Sequence, residues 1–250
     1  MYRNLILGMI LVLVVGGITL SQRRAKDDVA APTSEAQTSG RTIESPKFGR
    51  QKKAAHFETS TPPHEAVYPA VPSQVVIDFN FDLGAKSKIS VTSGGKEYSA
   101  GDVMIDANIL TMRKNLDTTG PDGIYDVNYE GCWPDNSCHK GFFQFKVDRS
   151  LAAGYTDMRG QKEVVIPMKD IAFAPQSIRV SKGTKITWVN NDEVVHYVNT
   201  DSHPAHTYYI AQNTRAIKKG ESYALGFDQP GIYPYHCSAH LKMTGNILVE

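Results

Sequence analysis

Cysteine is scarce: the 250 residues contain three, too few for a disulfide-dense miniature scaffold. No Gly-rich loop of the kind that cradles phosphates is present, which argues against nucleotide-driven chemistry. Charge of one sign is also missing. Lysine plus arginine number 27 against 26 aspartates and glutamates, a formal net charge of +1 that gives no electrostatic case for nucleic acid binding. What the chain does have is 41% hydrophobic and 21% charged residues, enough to build real cores and to exclude disorder throughout.

The two ends differ. Leu5–Leu20 is apolar without a charge, and as a helix would span about 24 Å at ~1.5 Å per residue. Arg3 precedes it, and no small-x-small cleavage site follows, so residues 1–20 read as a signal anchor in preference to a removed signal peptide. Arg23, Arg24 and Lys26 would by charge alone keep the bulk of the chain in the cytoplasm. The cysteine chemistry below argues for the outside, and we give it the greater weight. Residues 21–69 lack apolar periodicity and read as a flexible tether, with a basic cluster at Lys47, Arg50, Lys52 and Lys53 that reads as solvated.

From Val75 onward the pattern changes. Val75–Phe81, Lys88–Val91, Gly123–Tyr129 and Gly141–Val147 alternate apolar and polar residues between turn signals such as Gly94-Gly95 and Pro121-Asp122-Gly123. This predicts a small antiparallel sandwich. A polar connector over 149–162 leads to a second set at Glu163–Pro167, Ser177–Val180, Lys185–Val189, Val194–Asn199, Tyr223–Phe227, Gly231–Cys237 and Gly245–Val249, again a sandwich pattern. The expected fold class is all-β: two sandwich domains, 70–148 and 163–250, after a membrane helix and a tether.

The chemistry gathers near the C-terminus. Cys237, His240 and Met243 stand three residues apart, so one tight loop after a strand can aim thiol, imidazole and thioether at a single point. His196 offers a second imidazole from an earlier segment. Two histidines, a cysteine and a weak axial methionine are the donors of an electron-transfer copper site; structural zinc sites favour more thiolates or histidines, not a thioether. His236 alternates away from Cys237 along its strand and reads as a surface or packing residue. His203 and His206 read as members of a solvated loop, with the rim of an electron or copper entry patch as the other reading.

Residues 163–250 resemble the cupredoxins, the blue-copper sandwich proteins of amicyanin and plastocyanin type, with a Greek-key fold. The resemblance rests on Phe173-Ala174-Pro175, Ile178-Arg179-Val180, Gly183, Ile186–Asp192 with His196, Pro230–Tyr233 and Tyr235–Gly245. It implies His196, Cys237, His240 and Met243 as ligands of one type 1 copper, and a redox partner protein or a copper donor or acceptor. Tyr197 stands where many members have asparagine.

Residues 70–148 more loosely resemble the CopC-like copper-resistance family, an immunoglobulin-like sandwich, through Val75–Asn80, Lys88–Val91, Gly120–Tyr129 and His139–Val147. The resemblance implies a second metal site at His139, although Ser137 stands where the family's aspartate would be. Cys132 and Cys138 bracket a Pro-containing turn and predict a disulfide in preference to a further metal site with His139. His-x-His pairs of the sort that build a trinuclear copper cluster are missing, so no enzyme is expected. The functional expectation is an extracytoplasmic, membrane-tethered electron carrier, with copper storage or delivery as the alternative.

Overall fold

The computed structural model describes residues 47–250. The signal anchor expected at 1–20 and the tether up to 46 lie outside the described residues, among which no helix is long and apolar enough to cross a membrane. Nearly everything described is strand and turn, in two sandwiches.

In the first sandwich, β1 (Phe57–Thr61), β3 (Gln74–Phe79), β7 (Thr111–Leu116) and β6 (Ser99–Ile105) form one sheet in the order β1-β3-β7-β6. The other sheet runs β2-β9-β8-β4-β5, from β2 (Val67–Tyr68), β9 (Cys138–Val147), β8 (Gly123–Cys132), β4 (Lys88–Ser93) and β5 (Lys96–Glu97). Alternation decides which faces meet: Ile89, Val91, Tyr125, Val127, Tyr129, Phe143, Phe145 and Val147 point inward, and their neighbours are more exposed. This sheet is not wholly antiparallel, since β2 runs parallel to β9.

The fold begins earlier than its sequence pattern predicts. The expected tether over 21–69 is corrected at its end: Lys52 bridges to Phe142, β1 pairs with β3, and β2 pairs with β9. The run Phe57-Glu58-Thr59-Ser60-Thr61 hides its strand because its inward residues are largely hydroxyls. Burying them is tolerable because Ser60 Oγ donates to the Pro62 carbonyl at 2.9 Å. β7 escaped the pattern for a similar reason, being rich in polar residues such as Arg113 and Lys114, and β6 because its register breaks between Ala100 and Met104.

In the second sandwich, β12 (Ala172–Phe173), β11 (Glu163–Lys169), β14 (Lys185–Asn190) and β16 (Ser222–Gly226) pack against a sheet of β10 (Thr156–Asp157), β13 (Ser177–Val180), β18 (His240–Val249), β17 (Gly231–Cys237) and β15 (Asn199–Thr200), each in that spatial order. The 149–162 connector is more ordered than expected: a short 3-10 turn over Arg149–Gly154, capped by Asp148, is followed by β10. A strand over Val194–Asn199 does not form. His196 keeps one bridge to Ile217, while side chains satisfy the neighbouring backbone: Val198 N–H donates to Thr214 Oγ1 and Thr200 N–H to Asn213 Oδ1.

β17 is buried along its whole length. Its odd-numbered residues Tyr233, Tyr235 and Cys237 enter the core, and its even-numbered face lies beneath the loop 201–209, where Tyr208 Oη donates to the Ile232 carbonyl at 3.0 Å. Opposite Tyr235 on β18 stands Gly245, where a Cβ would fall 2.3 Å from the tyrosine ring; only glycine lets the ring lie over the sheet.

The two sandwiches belong to one compact unit. β3 explains why. Val75, Ile77 and Phe79 fill the first core, whereas Val76 joins the second. Asp78, on the same outward face as Val76, accepts hydrogen bonds from Ser202 Oγ (2.8 Å) and Thr207 Oγ1 (2.8 Å) of the second sandwich, and from Thr111 Oγ1 (2.9 Å) of its own. Arg113 Nη2 and Gln74 Nε2 add donations to the Thr207 and Tyr208 carbonyls at 3.1 and 2.6 Å. The loop 201–208 is thereby held by the first sandwich.

Candidate metal centre

Cys237 ends β17 and His240 opens β18; the two residues face each other across a tight hairpin. Cys237 Sγ lies 3.5 Å from His240 Nδ1 and 3.7 Å from His196 Nδ1, and the thiol is fully buried. These separations match the roughly 3.5–3.8 Å that follow when thiolate and imidazole share one ion at about 2.3 and 2.0–2.1 Å. The imidazoles of His196 and His240 are 5.0 Å apart between ring centroids. Met243 is buried in the same core as Cys237, three residues beyond His240 on β18.

The surroundings fix these donors. His196 Nε2 donates to Asp192 Oδ2 at 2.9 Å, which leaves the Nδ1 lone pair facing the sulfur. Burial raises the Asp192 carboxyl, but donations from the Ile171 N–H, from His196 and from the Asp170 N–H outweigh it and hold the group below its ordinary value. Asn190, fully buried, donates to the Val194 and Ile217 carbonyls (both 2.8 Å) and accepts from the Asp192 N–H. The Tyr197 N–H donates to Cys237 Sγ at 3.3 Å, so tyrosine at this position leaves the backbone contact to sulfur intact. Asp192 appeared in the sequence only within the stretch that carries the resemblance; its bond to His196, four residues on, forms in a segment that is not helical, so no periodicity announces it.

A second cluster lies on the other face of β17. His236 Nε2 stands 3.1 Å from His206 Nε2 and 3.4 Å from His203 Nδ1. His236 Nδ1 is bonded to Asp201 Oδ1 at 2.9 Å, and Ser238 Oγ lies 3.1 Å from His206 Nε2. Burial, then the imidazoles of His236 and His203, push the His206 pKa down to about 4. His236 does alternate away from Cys237, and of the two readings, surface or packing, it is the buried one, a member of this cluster; the loop carrying His203 and His206 is anchored rather than freely solvated.

The middle domain differs. His139 is exposed, near the Trp133 ring at 6.0 Å between centroids, and joins neither of the two donor groups found among the described residues. His56 stacks on Phe81 at 4.8 Å and meets Trp133 edge-on at 5.4 Å between centroids. Cys132 and Cys138 form a disulfide across the β8–β9 pair, as expected.

A sandwich that brings one buried thiol to two imidazoles has a donor group suited to copper, the soft thiolate to Cu(I) and imidazole to either oxidation state. Comparison with known proteins gives the same class. Residues 161–250 match the copper binding proteins of the plastocyanin/azurin family, and residues 57–148 match the CopC domain, a start that agrees with β1. Amicyanin-alpha of Methylorubrum extorquens is 27% identical over 113 residues, covering 42% of this chain and 90% of the relative. Plastocyanin of Scenedesmus fuscus is 33% identical over 86 residues, covering 32% and 88%. Amicyanin of Paracoccus denitrificans is 28% identical over 87 residues, covering 35% and 65%. Through its C-terminal sandwich the chain belongs to the plastocyanin/azurin family of copper-binding proteins, with a CopC domain before it, and copper is its cofactor.

Proposed function

We propose that this protein carries single electrons through a type 1 copper centre held by His196, Cys237, His240 and Met243. The observation that carries the reading is the buried thiol with two imidazole Nδ1 atoms at 3.5 and 3.7 Å. Copper would supply a one-electron couple there, its reduced form suited by the soft thiolate and both forms by imidazole. The protein's own part is to hold the donors still. Asp192 orients His196, Asn190 ties the loop before it, the Tyr197 N–H bonds the sulfur, and the core excludes water from Cys237. Donors that do not rearrange lower the reorganisation that accompanies an electron's arrival. The role is non-catalytic, and the counterpart is a redox protein.

Adding Cu(II) to the full chain is expected to produce intense visible absorption from thiolate-to-copper charge transfer; a colourless complex would overturn the reading. The domains are assigned to the outer side of the cytoplasmic membrane, tethered by Leu5–Leu20, because a Cys132–Cys138 disulfide persists in an oxidising compartment. After mild reduction of intact cells, a membrane-impermeant alkylating reagent is expected to label both cysteines. Thiols found free, and labelled only after lysis, would reverse the orientation.

The CopC domain gives a second reading: storage or delivery of copper. Fast, reversible voltammetry favours the electron carrier, and rapid loss of copper to a chelator or acceptor protein favours delivery.

A further inference from the structure

We propose that His203, His206 and His236 form a second metal site, a three-imidazole centre for a divalent transition ion, copper(II) before the others. It lies on the opposite face of β17 from Cys237 and is built without any of the four donors assigned above.

Three observations carry it. The first is direction. Asp201 Oδ1, 2.9 Å from His236 Nδ1, keeps the proton on that nitrogen and turns the lone pair of Nε2 toward the other two rings. The second is distance. Two imidazole nitrogens sharing an ion at about 2.0–2.1 Å stand about 2.9–3.4 Å apart for angles from square to tetrahedral. The separations from His236 Nε2 are 3.1 and 3.4 Å, and all three donor atoms lie within 4.8 Å of one another. A purely hydrogen-bonded cluster accounts for this less well, because His236 Nε2 has one lone pair and two ring nitrogens face it. One bound ion engages all three.

The third observation is support. Asp78 holds Ser202 and Thr207, which flank the two loop histidines, and Arg113 and Gln74 hold the Thr207 and Tyr208 carbonyls. Asn213 Nδ2 donates to the His206 carbonyl at 2.8 Å, and Asn199 Nδ2 fixes the Ser238 hydroxyl at the rim. The loop is braced from both sandwiches, as a ligand loop needs to be. His236 is buried while His203 and Pro204 are exposed, which leaves a solvent side for ion entry and for a further ligand. The metal class follows from the donors: without thiolate the site does not favour Cu(I), and among divalent ions on nitrogen ligands copper(II) binds most tightly.

The test uses the full chain stripped of metal and titrated with Cu(II), then with Zn(II). Two tight copper equivalents are expected: one blue, and one nearly colourless with the wide hyperfine splitting of nitrogen-ligated tetragonal copper in its paramagnetic resonance spectrum. The double variant His203→Ala/His206→Ala is expected to lose the colourless equivalent and keep the blue one. Because the double variant could fold poorly, exposed His203→Ala alone provides a second check, expected to weaken that equivalent without touching the blue band. Asp201→Asn is expected to weaken it about 10–100-fold, as loss of the carboxylate behind a ligating histidine does. A single equivalent in the unaltered protein, or a colourless equivalent that survives both histidine variants, as would happen if it sat in the CopC domain, overturns the proposal. Zinc binding that is lost in these variants while copper(II) binding is not would overturn the choice of ion. Failure of the blue band alone would instead count against the Cys237 reading.

Discussion

At the scale of single residues, the thiol and the thioether of the proposed type 1 centre make opposite predictions. Cys237→Ser is expected to abolish the charge-transfer band while far-ultraviolet circular dichroism stays unchanged, because a small side chain at one end of β17 does not hold the core. Failure to obtain folded, soluble protein would contradict this. Met243→Leu is expected to keep the blue colour and raise the reduction potential, since a long, weak donor stabilises Cu(II) more than Cu(I); an unchanged potential in voltammetry would exclude Met243 from the centre. The grouping of His196, Cys237 and His240 was legible in the sequence because a thiol and an imidazole at a three-residue step, with a second imidazole upstream, suit little chemistry besides the binding of a soft metal. Asp192 and Asp201 were not, although each bonds a histidine, because what makes them informative is a side-chain partner brought in by the fold. The same holds for His236. Its alternation from Cys237 could be read, but not the loop that covers it.

At the scale of elements, strands with two buried faces were the hardest to interpret. β3 and β17 were both found as strands, yet period-two alternation suggests one wet face, and neither has one along most of its length. For β17 the cover is the 201–209 loop; for β3 it is the neighbouring sandwich. Asp78 is the clearest product of this arrangement, a buried carboxylate accepting from three hydroxyls on two sandwiches. Asp78→Ala leaves those hydroxyls without their acceptor and is expected to cost about 1.5–3 kcal/mol in urea unfolding. It is also expected to loosen the loop bearing His203 and His206 while the absorption from the Cys237 centre persists. Stability within a few tenths of a kcal/mol of the parent would show that the carboxylate does not brace the loop. β1 went unseen for the opposite reason: its hydroxyl-bearing residues imitate a linker, and only pairing with β3 reveals the strand.

At the scale of the whole molecule, the division into two sandwiches was readable from turn spacing, but their union was not, because it depends on Val76, Asp78, Gln74 and Arg113 meeting residues far along the chain. β3 belongs to two cores at once. Separating the sandwiches would strip Val76 from the second core and leave Asp78 without two of its donors, so residues 47–250 are expected to unfold in one transition, with calorimetric and van't Hoff enthalpies equal. Two resolved transitions would argue for independent halves. An ion bound only by the folded state stabilises whatever unfolds with it, by about 2.7 kcal/mol at a free concentration one hundred times its dissociation constant. The amides of β3 and β7 touch none of the donors around Cys237, yet their hydrogen exchange through global opening should slow when copper fills that centre. The CopC domain would then act as a remote reporter of copper occupancy in its neighbour, and protons at one end of the molecule would register an ion held at the other.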